Sequence, residues 1–339
     1  IESDVLATKE DYAPILENTQ NPNAKKDGKV LYGIAVRRTE QRSFPSEKAI
    51  WDDPNDMDLD YQYLTAVRVN EPLIITSVSK DGNFYLTKGI CCSGWVRAED
   101  VAICKDKAEW ESAWVIPEDK VLVVYGNKVY TDESYTAPET ARRMLGQSTR
   151  LELVTGLKPD QLVNNRYPYH NYVVYLPVRN KDGMYEKHAA LVPQNVEANI
   201  GYLPLTERNI ARVAMQHLGD AYGWGGMMDV EDCSGLIRTI YACFGLEIGR
   251  NGNWQWKMNM EKIDMANMSI EEKLMIIDEL PLGSALCFSG HEMMYLGKEN
   301  GKYYVISTVS SIMSPDTGKL LRTRGVMINT LDVKRANGQ

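Results

Sequence analysis

The chain has 339 residues, 44% of them hydrophobic and 25% charged, which is enough for two or three domains with real cores. Its 38 basic and 46 acidic residues leave a net charge of −8, which argues against nucleic acid or an anionic membrane as the main partner, since both select a basic face. No stretch approaches the roughly 18 unbroken apolar residues of a membrane span, and the chain opens at Ile1 with no apolar targeting segment, consistent with a mature or trimmed form.

Residues 1–30 are polar, contain Asn21-Pro-Asn and Lys25-Lys-Asp-Gly, and read as an arm with one short helix. From 31 to 105 come short strand-like runs: Leu31-Tyr-Gly-Ile-Ala-Val, Pro72-Leu-Ile-Ile-Thr-Ser-Val, Asn83-Phe-Tyr-Leu and Gly94-Trp-Val. Turns such as Lys80-Asp-Gly-Asn separate them, and strands this short at this spacing predict a small β-barrel. Residues 106–119, with two Trp and a Pro, read as a connector. A second run at 120–205 holds Val121-Leu-Val-Val-Tyr, Arg150-Leu-Glu-Leu-Val, Tyr172-Val-Val-Tyr-Leu-Pro-Val and Ala189-Ala-Leu-Val-Pro, a loose copy of the first β-module. At 206 the period changes. Ile210, Val213, Ala214 and Leu218 form a helical stripe stopped by Gly219, a second helix is predicted over 233–244 and a third over 269–279. Strands at Ala285-Leu-Cys-Phe, Glu292-Met-Met-Tyr-Leu, Lys302-Tyr-Tyr-Val-Ile and Gly325-Val-Met-Ile then complete an α+β domain over 206–339.

Six cysteines (91, 92, 104, 233, 243 and 287) show no C-x-x-C pair for zinc or redox work, and adjacent Cys91 and Cys92 cannot easily bridge. Cys233 is singled out because Glu231-Asp-Cys-Ser-Gly opens the second predicted helix. First-turn N–H groups and the positive end of the helix dipole there favour thiolate over thiol. Cys243 reads instead as a mid-helix core residue. A nucleophilic cysteine needs a base, and His291 opens a strand about 58 residues downstream. A helix-borne Cys and a strand-borne His far apart in sequence fit papain-like catalysis, although His291 alone would read as a surface turn residue. His291-Glu292-Met-Met-Tyr295 begins like the zinc motif H-E-x-x-H, but Tyr295 stands at the second ligand position and the segment reads as a strand. No metal and no cofactor are therefore expected. His170 reads as a loop residue, while His188, before a strand, and His217, on the first helix, have no nameable partner. The methionines of 258–268 read as packing residues.

Four blocks in order, Tyr222-Gly-Trp-Gly-Gly, Asp232-Cys-Ser-Gly, Ile248-Gly-Arg-Asn…Trp254-Gln and Gly290-His-Glu-Met-Met-Tyr-Leu-Gly, together resemble the NlpC/p60 family of cell-wall cysteine peptidases over roughly 206–339. Arg42-Ser-Phe-Pro-Ser and Gly94-Trp-Val-Arg-Ala-Glu-Asp-Val-Ala more weakly resemble the bacterial SH3 domains that precede this domain in one branch. The resemblance implies two SH3-like β-barrels followed by a papain-like α+β peptidase domain. It further implies a γ-D-glutamyl–L-diamino acid endopeptidase acting on peptidoglycan stem peptides, L-Ala-γ-D-Glu-diamino acid, with a free N-terminal L-Ala. Carried over by position, Cys233 is the nucleophile, His291 the general base, and Tyr222 the oxyanion-hole hydroxyl beside the Cys233 backbone N–H. Asp232 and Ser234 hold the substrate amine, and Trp224 belongs to the substrate-binding set. The plainer alternatives are loop packing for Tyr222 and Trp224 and a helix N-cap for Asp232.

One departure stands out. Where the family carries a third polar residue, usually His, this chain reads Tyr304-Val-Ile-Ser307. Serine is shorter and holds the imidazole tautomer less firmly, and the orienting group of a triad matters by orders of magnitude. Besides the peptidase, the sequence therefore leaves open a catalytically weakened or inactive cell-wall peptide-binding protein, and an amidase or acyltransferase using the same Cys–His pair. The expected protein is a monomer at the periplasm or cell surface, with a cytoplasmic recycling role as the other compartment.

Overall fold

The computed structural model describes residues 7–21, 29–51, 53, 58–158, 160–314 and 316–334. The chain separates into two units, one made of residues 1–202 with 224–229 and the other of 203–223 with 230–339.

In the first unit, helix α1 (Lys9–Asn18) starts at a capping box in which Thr8 and Asp11 satisfy each other's backbone N–H groups. The turn signals predicted over 22–28 lie outside the described residues. Strands β1 (Leu31–Ala35), β2 (Thr39–Arg42), β3 (Tyr63–Val67), β4 (Pro72–Val78), β5 (Phe84–Lys88), β6 (Ser93–Arg97) and β7 (Val101–Cys104) form one sheet in the order β3-β2-β6-β5-β4-β1-β7. No ladder joins its edge strands β3 and β7 among the described residues, so the expected barrel is an open sheet. Ala35, Val67, Leu73, Ile75, Val96 and Val101 fill its core.

The expected connector is mostly helix α2 (Lys107–Trp114), which Asp106 caps by accepting the Glu109 N–H at 2.8 Å. Trp110 and Trp114 pack there with Tyr32, Ile34 and Cys104. A second module follows, with strands β8 (Val121–Val124), β9 (Lys128–Tyr130), β10 (Met144–Gly146), β11 (Arg150–Leu153), β12 (Asn171–Arg179), β13 (Tyr185–Pro193) and β14 (Ala198–Ile200). Five of them run in the order β13-β12-β11-β8-β14, and β9 pairs with β10 apart from that sheet. Its core is Leu122, Val124, Leu145, Leu151, Val174, Leu176 and Val192. His188 lies within β13 rather than before it, between Glu139 at 2.8 Å and Glu186 at 3.0 Å. Cys91 and Cys92 form no disulfide, their sulfurs lying 3.7 Å apart.

The second unit holds α3 (Glu207–Met215), α4 (Cys233–Ala242), α5 (Gly252–Lys257) and α6 (Ile270–Asp278), followed by the antiparallel meander β15 (Ala285–Phe288), β16 (His291–Glu299), β17 (Lys302–Met313) and β18 (Leu320–Thr330). Helices α3, α4 and α6 begin at Thr206, Asp232 and Ser269, each accepting a first-turn N–H, as polar caps do. Helix α4 is buried along nearly its whole length and packs on α3 and on β16 and β17. Cys243 is the residue after its last turn rather than mid-helix, and is fully buried. Likewise α3 ends at Met215, so His217 lies in the turn beyond it, where its Nδ1 is 3.1 Å from Asp220 Oδ2.

Candidate active site

Cys233 is the first residue of α4, half-buried, on a turn built by its neighbours. Asp232 caps the helix, taking the Gly235 N–H at 2.7 Å and the Ser234 hydroxyl at 3.2 Å. Arg250 then closes on the same carboxylate with both terminal nitrogens, at 2.9 Å and 2.6 Å, and also reaches Ser234 Oγ at 3.2 Å. Asp232, Ser234 and Arg250 are all buried. The planar fork of Arg matches a carboxylate, so this is a charge-assisted pair of fixed geometry. Gln255, on α5, donates to Ser234 O at 3.2 Å and Gly249 O at 3.0 Å, tying the Ile248-Gly-Arg-Asn block to the start of α4.

Electrostatics at the sulfur differ from the helix-dipole expectation. Burial pushes the Cys233 thiol up to about 12, and the negative charges of Asp232 and Glu292 push the same way, against the backbone N–H groups of Glu292 and Ser234 that face the sulfur. Loss of water around a would-be thiolate outweighs the partial charge of the helix end. The resting residue is a thiol, and ionisation requires a proton acceptor.

His291 opens β16, and its Nε2 lies 3.3 Å from Ser307 Oγ on the neighbouring strand β17. Ser307 is 1% exposed, and the edge of the Phe288 ring packs against the imidazole with centroids 5.5 Å apart. The remainder of the zinc-like motif runs along β16 with Tyr295 in the core beside Leu286 and Val305.

Tyr222 is held by its backbone N–H, which donates to Arg324 O at 2.9 Å, and its loop is closed by Gly223 N–H to Glu231 O at 3.2 Å. Burial first, then the charges of Cys233 and Asp232, raise the phenol far above its ordinary range. It therefore stays a neutral O–H donor. Trp224 belongs to the other unit, where its ring packs on Tyr61 with centroids 5.3 Å apart.

Two residues of this site were not singled out from the sequence. Arg250 stood inside a quoted block, but no spacing rule marks a guanidinium 18 residues from its carboxylate. Glu292 stands in the sequence only as part of the zinc-like stretch His291-Glu292-Met-Met-Tyr295. It is 2% exposed, and burial raises its carboxyl to about 7. A polar residue at an inward position of an amphipathic strand was the available signal.

Residues 219–321 match the NlpC/P60 family, and residues 49–97 match the SH3 domain of SH3b1 type. A novel NlpC/P60 endopeptidase from Photobacterium damselae subsp. piscicida is similar in structure, with a TM-score of 0.73 at 20% identity, covering 94% of this chain and 70% of that one. An NlpC/P60 family protein from Bacillus cereus ATCC 10987 is similar with a TM-score of 0.60 at 14% identity, covering 89% and 94%. At these identities the likeness is one of fold. No curated protein matches the sequence. The chain carries an SH3b domain followed by a domain of the NlpC/P60 family of cell-wall cysteine peptidases.

Proposed function

We propose that the C-terminal domain is a cysteine endopeptidase cleaving the γ-D-glutamyl–L-diamino acid bond of peptidoglycan stem peptides, and that the second β-module, at 120–205, is SH3-like as well. The observation that carries the reading is the pairing of His291 with Ser307 on the strands packed beneath the helix that opens at Cys233. In this mechanism His291 takes the Cys233 proton as sulfur attacks the γ-carbonyl, and returns it to the leaving amine. Water then releases the acyl group from sulfur. The Tyr222 hydroxyl and the Cys233 N–H receive the oxyanion. Because burial holds Cys233 as a thiol, proton transfer and attack are coupled, and the reaction depends on how well the imidazole is oriented.

Asp232 and Ser234 are proposed to meet the substrate's N-terminal amine. Arg250 already occupies both carboxylate oxygens, so the amine shares Asp232 with a guanidinium. Preference for a free amine over an acetylated one is therefore expected to be modest. Trp224 is kept as a substrate-side residue on position in the motif alone. Peptidoglycan chemistry places the proposed enzyme at the periplasm or cell surface.

A second reading, a peptide-binding protein with little turnover, is favoured by Ser307 and by the raised Cys233 thiol. Hydrolysis of the free tripeptide L-Ala-γ-D-Glu-diamino acid, beside its N-acetylated form and the Cys233→Ala protein, separates the two. Cleavage lost in Cys233→Ala establishes the peptidase. No cleavage by the wild-type chain, with calorimetric binding of the same peptide, establishes the second reading. Equal cleavage of both peptides removes the amine clamp.

A further inference from the structure

Glu292 sits at the centre of the site without a role in the mechanism above. Its side chain is buried, Oε1 has no hydrogen-bond partner among the described residues, and Oε2 lies 3.7 Å from Cys287 Sγ, directly opposite on β15. Its niche is made by Gly252, where a Cβ would stand 3.4 Å from Oε1. The backbone N–H of the same residue faces the Cys233 sulfur. The titratable and charged groups around the carboxyl are the Cys287 thiol from β15, Cys233 and Asp232 from the start of α4, and Arg250 from the loop before α5. Arg250 binds Asp232 with both terminal nitrogens, and its charge lowers the Glu292 carboxyl by less than burial raises it. A buried carboxyl oxygen left without a donor is costly, and an ionised one more so. A packed hydrophobic residue would avoid that cost at an inward position of β16.

We propose that Glu292 is a positioning residue that tunes the nucleophile: as a neutral acid it leaves Cys233 free to ionise, and as a carboxylate it opposes the thiolate. The inference rests on Cys233 being the nucleophile. The coupling is electrostatic and reciprocal, because two negative charges in one dry pocket each disfavour the other. Burial sets the carboxyl at about 7, so the two forms exchange around neutrality. The proton leaves to solvent, and no other group changes state.

The test is the pH profile of Cys233 alkylation by iodoacetamide in the full chain, read by mass spectrometry of the Cys233 peptide from about pH 5 to about pH 9, across the carboxyl titration. The wild-type profile is expected to flatten through neutrality as the carboxyl ionises. Glu292→Gln is expected to remove that inflection and speed alkylation at alkaline pH by about tenfold, one pKa unit of thiol ionisation. Superimposable profiles for the two proteins overturn the proposal. Should Glu292→Gln fail to fold, the wild-type profile decides alone: a single ionisation step without inflection overturns it, and an inflection coinciding with loss of the infrared band of a protonated carboxyl supports it. Alkylation needs no peptide substrate, so a shifted profile without peptide cleavage would sink the peptidase reading and leave only the coupling of Glu292 to the Cys233 thiol.

Discussion

A carboxylate that accepts from Gly235, Ser234 and both nitrogens of Arg250 has little capacity left for another donor, and its ionic partner is as buried as itself. Arg250→Met takes the guanidinium from a buried carboxylate, and is expected to cost about 3–5 kcal/mol, the usual result of breaking a buried pair from one side. Thermal melts of the full chain check this. A smaller loss than in Asp232→Ala, which removes cap and pair together, would show that the cap adds to the pair. Ser307→Ala removes the hydroxyl beside His291 Nε2 and is expected to lower kcat about tenfold, roughly 1.4 kcal/mol, with the melting temperature nearly unchanged. Ser307→His is expected to raise turnover if the serine limits imidazole orientation. Glu292 also writes itself into stability. Its folded pKa, about 7, is raised above the ordinary glutamate value of 4.5, so the native state binds more protons between those values. Stability on this account is full below about pH 4.5 and falls as pH rises through about 7, by about 3 kcal/mol. Chemical denaturation at pH 5 and at pH 8 should show that fall, and Glu292→Gln should abolish it.

At the scale of elements, what the sequence made legible was what local chemistry decides. Thr206, Asp232 and Ser269 sit as caps because their side-chain oxygens satisfy first-turn N–H groups, and the apolar stripe of α3 follows from helical period. Ends were misplaced where that chemistry is weak: α3 stops before His217, and α4 stops before Cys243. Strand order was not legible, since the ladder β3-β2-β6-β5-β4-β1-β7 depends on pairings between residues far apart in sequence. Nor was the thiol's state, because a dipole can be read from a helix start and burial cannot. The Trp224–Asp229 turn illustrates the same limit. Gly225 has φ 62°, and a Cβ there would meet Tyr63 O and Cβ at 2.7 Å. Gly226, at φ 88°, would meet Ala66 Cβ at 2.7 Å. Gly225→Ala is therefore expected to destabilise the chain by about 1–3 kcal/mol in strain and contact. Gly82→Ala, at φ 80° with open space, should cost less. Paired urea melts separate these, and equal costs would mean that the conformation matters and the approach to β3 does not.

On the whole molecule, the order of β-rich modules before an α+β domain was readable from the change of period at 206. The membership of residues 224–229 was not. That short segment lies in the middle of the C-terminal sequence yet belongs to the N-terminal unit, through Tyr61, Tyr63, Ala66 and an Arg38–Asp229 ion pair at 2.9 Å. Boundary rules look for linkers, and this crossing has none: Tyr-Gly-Trp-Gly-Gly reads as one motif, although the unit boundary falls inside it. A gene fragment beginning near residue 203 therefore encodes the NlpC/P60 domain with six residues folded for a surface it no longer has. For recombination, natural or designed, the two units are not interchangeable cassettes. A graft that brings the peptidase domain alone must also rewrite its glycine turn, or inherit β2 and β3 from the donor along with it.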